Sequence, residues 1–590
     1  MPPIRRCTPA LRGHAARTAR ISLGRILLAI LLLAGTARAS RADALADTLI
    51  ARLQYSVAAE SIVIRGEVID SGKYLQDYYA ARQFEPVWGD TSREALLLTA
   101  LRNVESDGLE ARDFHLGALE AVRDQVRSLP APPVALRADY ELLLSDALMR
   151  FVHCVRYGKV NPESLDVNWT ITPDRKHLGP IEGFTEALGA ADLSAHLDSL
   201  RPREPDYDKL RQALARYQAI RAAGGWKRLA PARELKLGIR DPEVDRLRFQ
   251  LALTGDLRAP SPGGSLLFDR PLATALKAFQ RRHALKETGK VDKATLGELQ
   301  VPVEQRLEAI RVNLERDRWV MHDLPDTLVL VNIAGFRIEY IREGRVEWHS
   351  RVQVGKVARQ SPVIRSQLSN VVVNPTWTVP PVVLDEDILS AKGDIPKLLE
   401  KKGLKVINRK GDTVDATKLD WSKYTAKTFP YELRQDPGPK NALGQLKFNF
   451  PNRYSVYLHD TPHRNYFGKS DRALSSGCVR VEHPLELAVR VLADTSRWNA
   501  DTLRSIQKTR KTRFLVLKHR VPILLLYWTA WVDDEGEVRF SRDIYGRDPA
   551  ILGSLDREFR FRPRPGVRAA MEATRASAEA EGQGRSQGKN

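Results

Sequence analysis

Residues 456–481 read VYLHDTPHRNYFGKSDRALSSGCVRV. The apolar alternation before His459 predicts a strand that ends at that histidine. A polar loop follows, and Cys478 stands nineteen positions after the histidine, directly behind Ser475, Ser476 and Gly477. A cysteine attacks as its thiolate, so a nucleophilic cysteine needs a base within reach. Histidine, whose ordinary pKa lies near neutrality, suits that task. The small residues ahead of Cys478 let a carbonyl approach closely and leave backbone N–H groups free to face a developing oxyanion, a contact worth about 3 kcal/mol. Arg480, two residues on, presents a forked guanidinium that fits a carboxylate. The pair at this spacing, inside Ser-Ser-Gly-Cys, points to nucleophilic catalysis by Cys478 with His459 as base. No metal site is expected, because one cysteine and scattered histidines such as His463 and His483 do not supply closely spaced ligands.

Working outward, residues 327–333, 336–341, 346–354, 370–379 and 454–458 are rich in Val, Ile, Tyr and Phe and broken by Gly335 and Gly344. They predict a mainly β domain over 326–520. The strand signal lapses over 383–436, where 388–404 is helical in pattern and the rest is Lys-rich; an interruption of that length reads as an inserted lid subdomain. Lys356 and Arg359 read as solvated. Trp377 either lines the cleft or packs in the β core. Residues 521–562 form a C-terminal extension with a hairpin-like turn at 533–536, and 563–590, rich in Ala, Glu, Gly and Ser, are expected to be disordered. On the N-terminal side, 301–325 is an amphipathic connecting helix. Residues 235–300 hold three short helices, with Asp292 placed to cap the third. Residues 45–230 are mostly helical and carry no evident chemistry, a scaffold. The fold class is therefore multi-domain α+β.

The start of the chain sets the compartment. Six arginines precede the apolar run ILLAILLLAG (26–35), and Ala37-Arg38-Ala39 follows as a small-x-small site. This is the layout of a signal peptide over 1–39, with an uncleaved inner-membrane anchor as the alternative. The apolar core is shorter than the roughly 20 residues of a spanning helix. The net charge of +20 favours anionic partners, yet export and the lack of a recognised motif argue against nucleic acid. Three cysteines, one of them in the leader, exclude a disulfide framework; Cys154 lies at helical spacing among apolar residues and reads as buried.

The 456–481 block resembles the active-site signature of the YkuD-type L,D-transpeptidases: a histidine, a loop, then Ser/Thr-His-Gly-Cys, an apolar residue, and Asn or Arg. Ser476 stands where most members carry a second histidine, and Arg480 where Asn is usual; both variations occur in the large, multi-domain periplasmic branch. The segments VGKVARQSPV (354–363), NPTWTVPP (374–381), RQDPGPKNALGQLKFNFPN (434–452) and IYGRD (544–548) are similar to that branch as well. FDRPLATALKAFQRRHALKETGKVDKATLGEL (268–299) resembles the peptidoglycan-binding domain family, with Ala284 where Gly is usual; glycan binding itself stays open. The resemblance implies Cys478 as nucleophile, His459 as general base, the Asp460 backbone carbonyl as the group orienting the imidazole, and Ser476, Gly477, Arg480 and Trp377 around the oxyanion and substrate. It implies acyl transfer from a tetrapeptide stem to an amine acceptor of a neighbouring stem, without metal or organic cofactor, in the periplasm. Cell-wall synthases are implied as partners and carbapenems as covalent inhibitors. An L,D-carboxypeptidase or endopeptidase of the same fold, and a non-catalytic wall-binding scaffold, stay open, as does the identity of the acceptor.

Overall fold

In a computed structural model of the protein, residues 41–561 are described except 60–61, 166–168, 170, 172–179, 259–264, 392 and 534. The leader expected at 1–39 and the tail expected at 563–590 fall outside the described residues. The chain divides into two compact units, residues 1–95, 115–149 and 560–590 in one, and residues 96–114 and 150–559 in the other. Among the described residues no helix is long and apolar enough to cross a membrane.

In the first unit, the helix Arg41–Ala59 buries Leu45, Leu49 and Leu53, a face made by four-residue spacing. Strands β1 (Ile62–Ile64) and β2 (Glu67–Ile69) pair as an antiparallel hairpin. Polar groups buried in this unit are satisfied mutually: the Tyr79 hydroxyl donates to Glu141 at 2.8 Å, and His115 sits between Glu67 and Asp146 at 2.8 and 2.7 Å.

The second unit contains the three-helix bundle, Glu243–Leu253, Arg270–Arg282 and Lys293–Leu299, around Leu247, Leu251, Phe268, Leu276 and Phe279. Asp269 and Asp292 cap the second and third helices, accepting from the N–H groups of Leu272 and Thr295. Behind the second helix, Leu285 N–H bonds Gln280 C=O and Ala284 N–H bonds Arg281 C=O, the pairing that closes a helix through a left-handed residue. That residue is Ala284, at φ 53°, which explains why a glycine suits the position. The helix Val303–Val320 leads out of the bundle and packs with Pro205–Ala222.

The rest of this unit is a nine-stranded sheet and a smaller one. The large sheet consists of β3 (Leu328–Asn332), β4 (Arg337–Arg342), β5 (Arg345–Gly355), β6 (Ile364–Val373), β11 (Leu446–Asn449), β12 (Leu458–His459), β13 (Ala473–Ser475), β14 (Val479–Val481) and β15 (Arg513–Leu526). Its order is β13-β5-β14-β12-β11-β6-β15-β3-β4, and β4 also pairs with β5, so the sheet curls back on itself. Phe448, Leu458 and Val479, in register on neighbouring strands, are fully buried beneath it. β15 crosses residue 520 without a break, so the boundary expected there cuts a strand whose second half pairs with β3. The hairpin of β16 (Ala530–Val532) and β17 (Val538–Phe540) returns to the Pro205–Ala222 and Val303–Val320 helices.

The second sheet, β7 (Trp377–Thr378), β10 (Glu432–Gln435), β8 (Lys405–Ile407) and β9 (Thr413–Val414), belongs mostly to the insert. With the helix Ile395–Lys402 it encloses its own core of Val379, Ile388, Leu399, Val406 and Leu433. A segment that buries its own apolar cluster is a subdomain rather than a loop.

Candidate active site

Sheet register assembles the site. Lys447 on β11 is paired with His459 on β12, His459 with Arg480 on β14, and Arg480 with Gln353 on β5. Four strands thus contribute one transverse row of polar side chains. Because side chains alternate along a strand, Tyr457 and Cys478 share that face with His459 and Arg480, while Leu458 and Val479 point into the core. The Tyr457 and His459 rings lie 5.6 Å apart, and the Lys447 ammonium stands 4.0 Å from the centre of the Tyr457 ring.

His459 is buried, and its Nδ1 lies 2.5 Å from the backbone carbonyl of Asp460. That contact fixes Nδ1 as the protonated nitrogen and leaves Nε2 as the basic one. Asp460 is itself held: its carboxylate accepts from Gln445 N–H at 2.9 Å and from Arg464 at 2.6 Å. Gly444, at φ 61°, makes room for it, since a Cβ there would lie 2.5 Å from the Asp460 carboxylate oxygen. Burial, reinforced by the Arg480 charge, pushes the imidazole down to about 3.

Cys478 is partly exposed, and both it and Cys154 are free thiols. Cys154 is fully buried. The Cys478 S–H points at the Ser455 carbonyl, 3.9 Å away, and among the described residues no hydrogen bond joins it to the His459 imidazole. Burial of the sulfur pushes the thiol up, against the opposing influence of Tyr457, Lys447 and Arg480. The Tyr457 hydroxyl lies beside the sulfur and the Trp377 indole, and its own ionisation is raised by burial and by Cys478.

Ser476, Gly477 and Arg480 fall around the nucleophile in different ways. The Ser476 hydroxyl accepts from Arg359 at 2.9 Å. Gly477 adopts φ 110°, a backbone conformation that a side chain would strain. Arg480 donates to Gln353 at 3.1 Å. Trp377 lines the cleft and packs against the insert core rather than the core of the large β sheet. The reading of Arg359 as solvated is corrected: it is 8% exposed and forms ion pairs with Glu386 and Asp387 of the insert. Its loop position gave no sign of this, because its partners stand more than 25 residues away in sequence.

His459, Cys478, Arg480, Ser476, Tyr457 and Trp377 line one cleft of about 730 Å³. The insert lines the same cleft through Val383, Asp387, Leu398, Lys401 and Lys402. A cysteine, an oriented neutral imidazole and cationic groups in one groove can perform acyl transfer on an anionic peptide. Lys447 and Gln353 escaped the sequence reading because only strand pairing brings them here, and Tyr457 escaped it although it stands two residues before His459 on the same face.

The chain is similar to known proteins in three stretches. Residues 326–508 match the family described as "L,D-transpeptidase catalytic domain", residues 240–299 "Putative peptidoglycan binding domain", and residues 73–214 "Scaffold domain". A protein of Haemophilus influenzae named "Putative L,D-transpeptidase" is 39% identical over 223 residues, covering 38% of this chain and 45% of the relative. The chain thus spans about half the length of that relative. The β domain around Cys478 therefore belongs to the L,D-transpeptidase catalytic family, carried on one chain with a scaffold domain and a peptidoglycan-binding domain.

Proposed function

We propose that the protein is a periplasmic cysteine L,D-transpeptidase that cross-links peptidoglycan stems between their third residues. The observation that carries this reading is the shared cleft, in which parallel pairing of β12 and β14 sets His459 and Cys478 on one face of the sheet. Cys478 loses its proton to Nε2 of His459 and attacks the carbonyl of the third residue of a tetrapeptide stem. A sulfur–carbon bond forms, the carbon–nitrogen bond to the terminal D-alanine breaks, and His459 returns the proton to the departing amine. An amine of a second stem then attacks the thioester; the new amide forms, the sulfur leaves, and the proton passes back to it through His459. The Asp460 carbonyl keeps Nδ1 protonated throughout. Ser476 and Gly477 shape the loop before the nucleophile, and Arg480, with Lys401, Lys402 and Lys447, gives the cleft the positive charge an acidic stem peptide fits. Before attack the S–H must turn from the Ser455 carbonyl to the imidazole; catalytic hydrogen bonds commonly tighten only with substrate bound.

The test is incubation of the purified protein with tetrapeptide muropeptides, followed by intact mass of protein and products. An acyl adduct on Cys478 and dimeric products support the transferase. Cleaved monomers alone would make it an L,D-carboxypeptidase or endopeptidase. Wall remodelling undiminished by Cys478→Ala would reduce the chain to a binding scaffold. A carbapenem, which offers a strained amide to the same sulfur, is expected to acylate Cys478. Cell-wall synthases are the partners this reading proposes.

A further inference from the structure

The three residues ahead of Cys478 are held one by one from a single turn. Lys356 N–H donates to Ser475 C=O at 2.9 Å, Arg359 to the Ser476 hydroxyl at 2.9 Å, and the Ser361 hydroxyl to Gly477 C=O at 2.7 Å. The turn itself is tight: a Cβ on Gly355 would lie 2.1 Å from Arg359 C=O, and Ser361 is fully buried. Its two ends are tied by a residue of the C-terminal extension. The Tyr545 hydroxyl donates to Gly355 C=O at 2.6 Å and accepts from Ser361 N–H at 3.1 Å. Tyr545 is anchored in turn, its N–H donating to the Tyr527 hydroxyl at 2.9 Å and its ring stacked on Tyr527 at 5.4 Å.

In a planar trans peptide the C=O and the following N–H point in opposite directions. Fixing Gly477 C=O on Ser361 therefore turns Cys478 N–H away from Ser361, and among the described residues no acceptor takes that N–H. An unengaged N–H on the nucleophile, held by a buried bond on the far side of its own peptide, is a preorganised oxyanion donor. We infer that Ser361 and Tyr545 are positioning residues for acyl transfer, with the C-terminal extension setting the direction of the Cys478 N–H through the turn at 355–361. This rests on the transferase reading above.

The experiment compares two reactions of the same sulfur in Ser361→Ala and Tyr545→Phe. Acylation by a carbapenem develops an oxyanion; alkylation by iodoacetamide displaces iodide and develops none. Acylation is expected to slow about 10- to 100-fold in each variant, the scale of a misdirected oxyanion donor. Alkylation is expected to stay within about twofold of the parent, since it needs only thiolate and access. A variant that acylates at the parent rate overturns the inference for that residue. Acylation and alkylation falling in parallel also overturns it, because the site has then simply come apart. A parent protein that alkylates but neither acylates nor turns over tetrapeptide sinks the transferase reading instead.

Discussion

The thiol and the imidazole rest as a neutral pair, and this has a measurable signature. Burial holds the Cys478 thiol above its ordinary 9.0, while burial and Arg480 hold His459 near 3. At pH 7 fewer than about one sulfur in a hundred is thiolate. For a thiol with pKa at or above 9, the thiolate fraction climbs about 50- to 100-fold between pH 7 and 9. Alkylation of Cys478 by iodoacetamide, followed by peptide mass across that range, should climb by the same factor; Cys154, fully buried, should stay unmodified. The sign follows from the direction of the shift: a raised thiol is protonated below its pKa and gains reactivity as pH rises. On the acid side, an imidazole near 3 is still about 99% unprotonated at pH 5, so turnover should lose no base there. An alkylation rate changing less than about twofold from pH 7 to 9 would mean the thiolate already exists beside an imidazolium, and the neutral-pair argument fails.

Gly444→Ala should lower the unfolding free energy by about 2 kcal/mol, read as a lower denaturant midpoint, from left-handed strain and from displacing the Asp460 carboxylate off Gln445 N–H, and should slow turnover because Asp460 also orients His459. Arg359→Lys should cost about tenfold in kcat, measured on tetrapeptide, because the three donors of one ammonium cannot reproduce the forked bonds of the guanidinium to Ser476, Glu386 and Asp387; faster limited proteolysis of the insert should accompany it. Ala284→Gly should stabilise the bundle by about 0.5–1 kcal/mol, the strain relieved at φ 53° less the entropy of glycine, read as a higher denaturant midpoint.

The residues of the proposed chemistry are local in sequence, which is why the sequence could single them out. His459, Cys478 and the Asp460 carbonyl sit within one block of 26 residues, and strand and turn signals there needed no tertiary information. The bundle was readable for the same reason, its caps and apolar spacing being properties of each helix alone. What stayed hidden depends on register. Lys447 and Gln353 reach the site only because β11, β12, β14 and β5 align in one row, and nothing in their own segments announces it. Arg359 misled for a related reason. A loop arginine is usually solvated, and only the fold of the insert brings Glu386 and Asp387 to it. The orientation of the thiol was equally out of reach, since spacing predicts proximity and not which acceptor a rotating S–H prefers.

The serine at 476 gains its meaning from Arg359. Where the family usually presents a second histidine, this chain presents a hydroxyl bonded to a buried guanidinium, and a guanidinium neither gives nor takes a proton near neutral pH. On the proposed mechanism His459 is the base at the sulfur, and position 476 supplies no second imidazole. A lone base that is itself buried cannot ionise cheaply, and neither can a buried thiol; each ion would face the desolvation that moved its pKa. On the proposed reading, transfer between them is different, because the two charges appear together and attract. On that reading, substrate that turns the sulfur from Ser455 toward the imidazole creates the nucleophile at the moment a carbonyl is present to receive it. The other bond of Arg359 runs to the insert, which walls the same cleft. Through Ser476, which stands in the histidine's place, Arg359 consequently ties the wall of the cleft to the loop that carries Cys478.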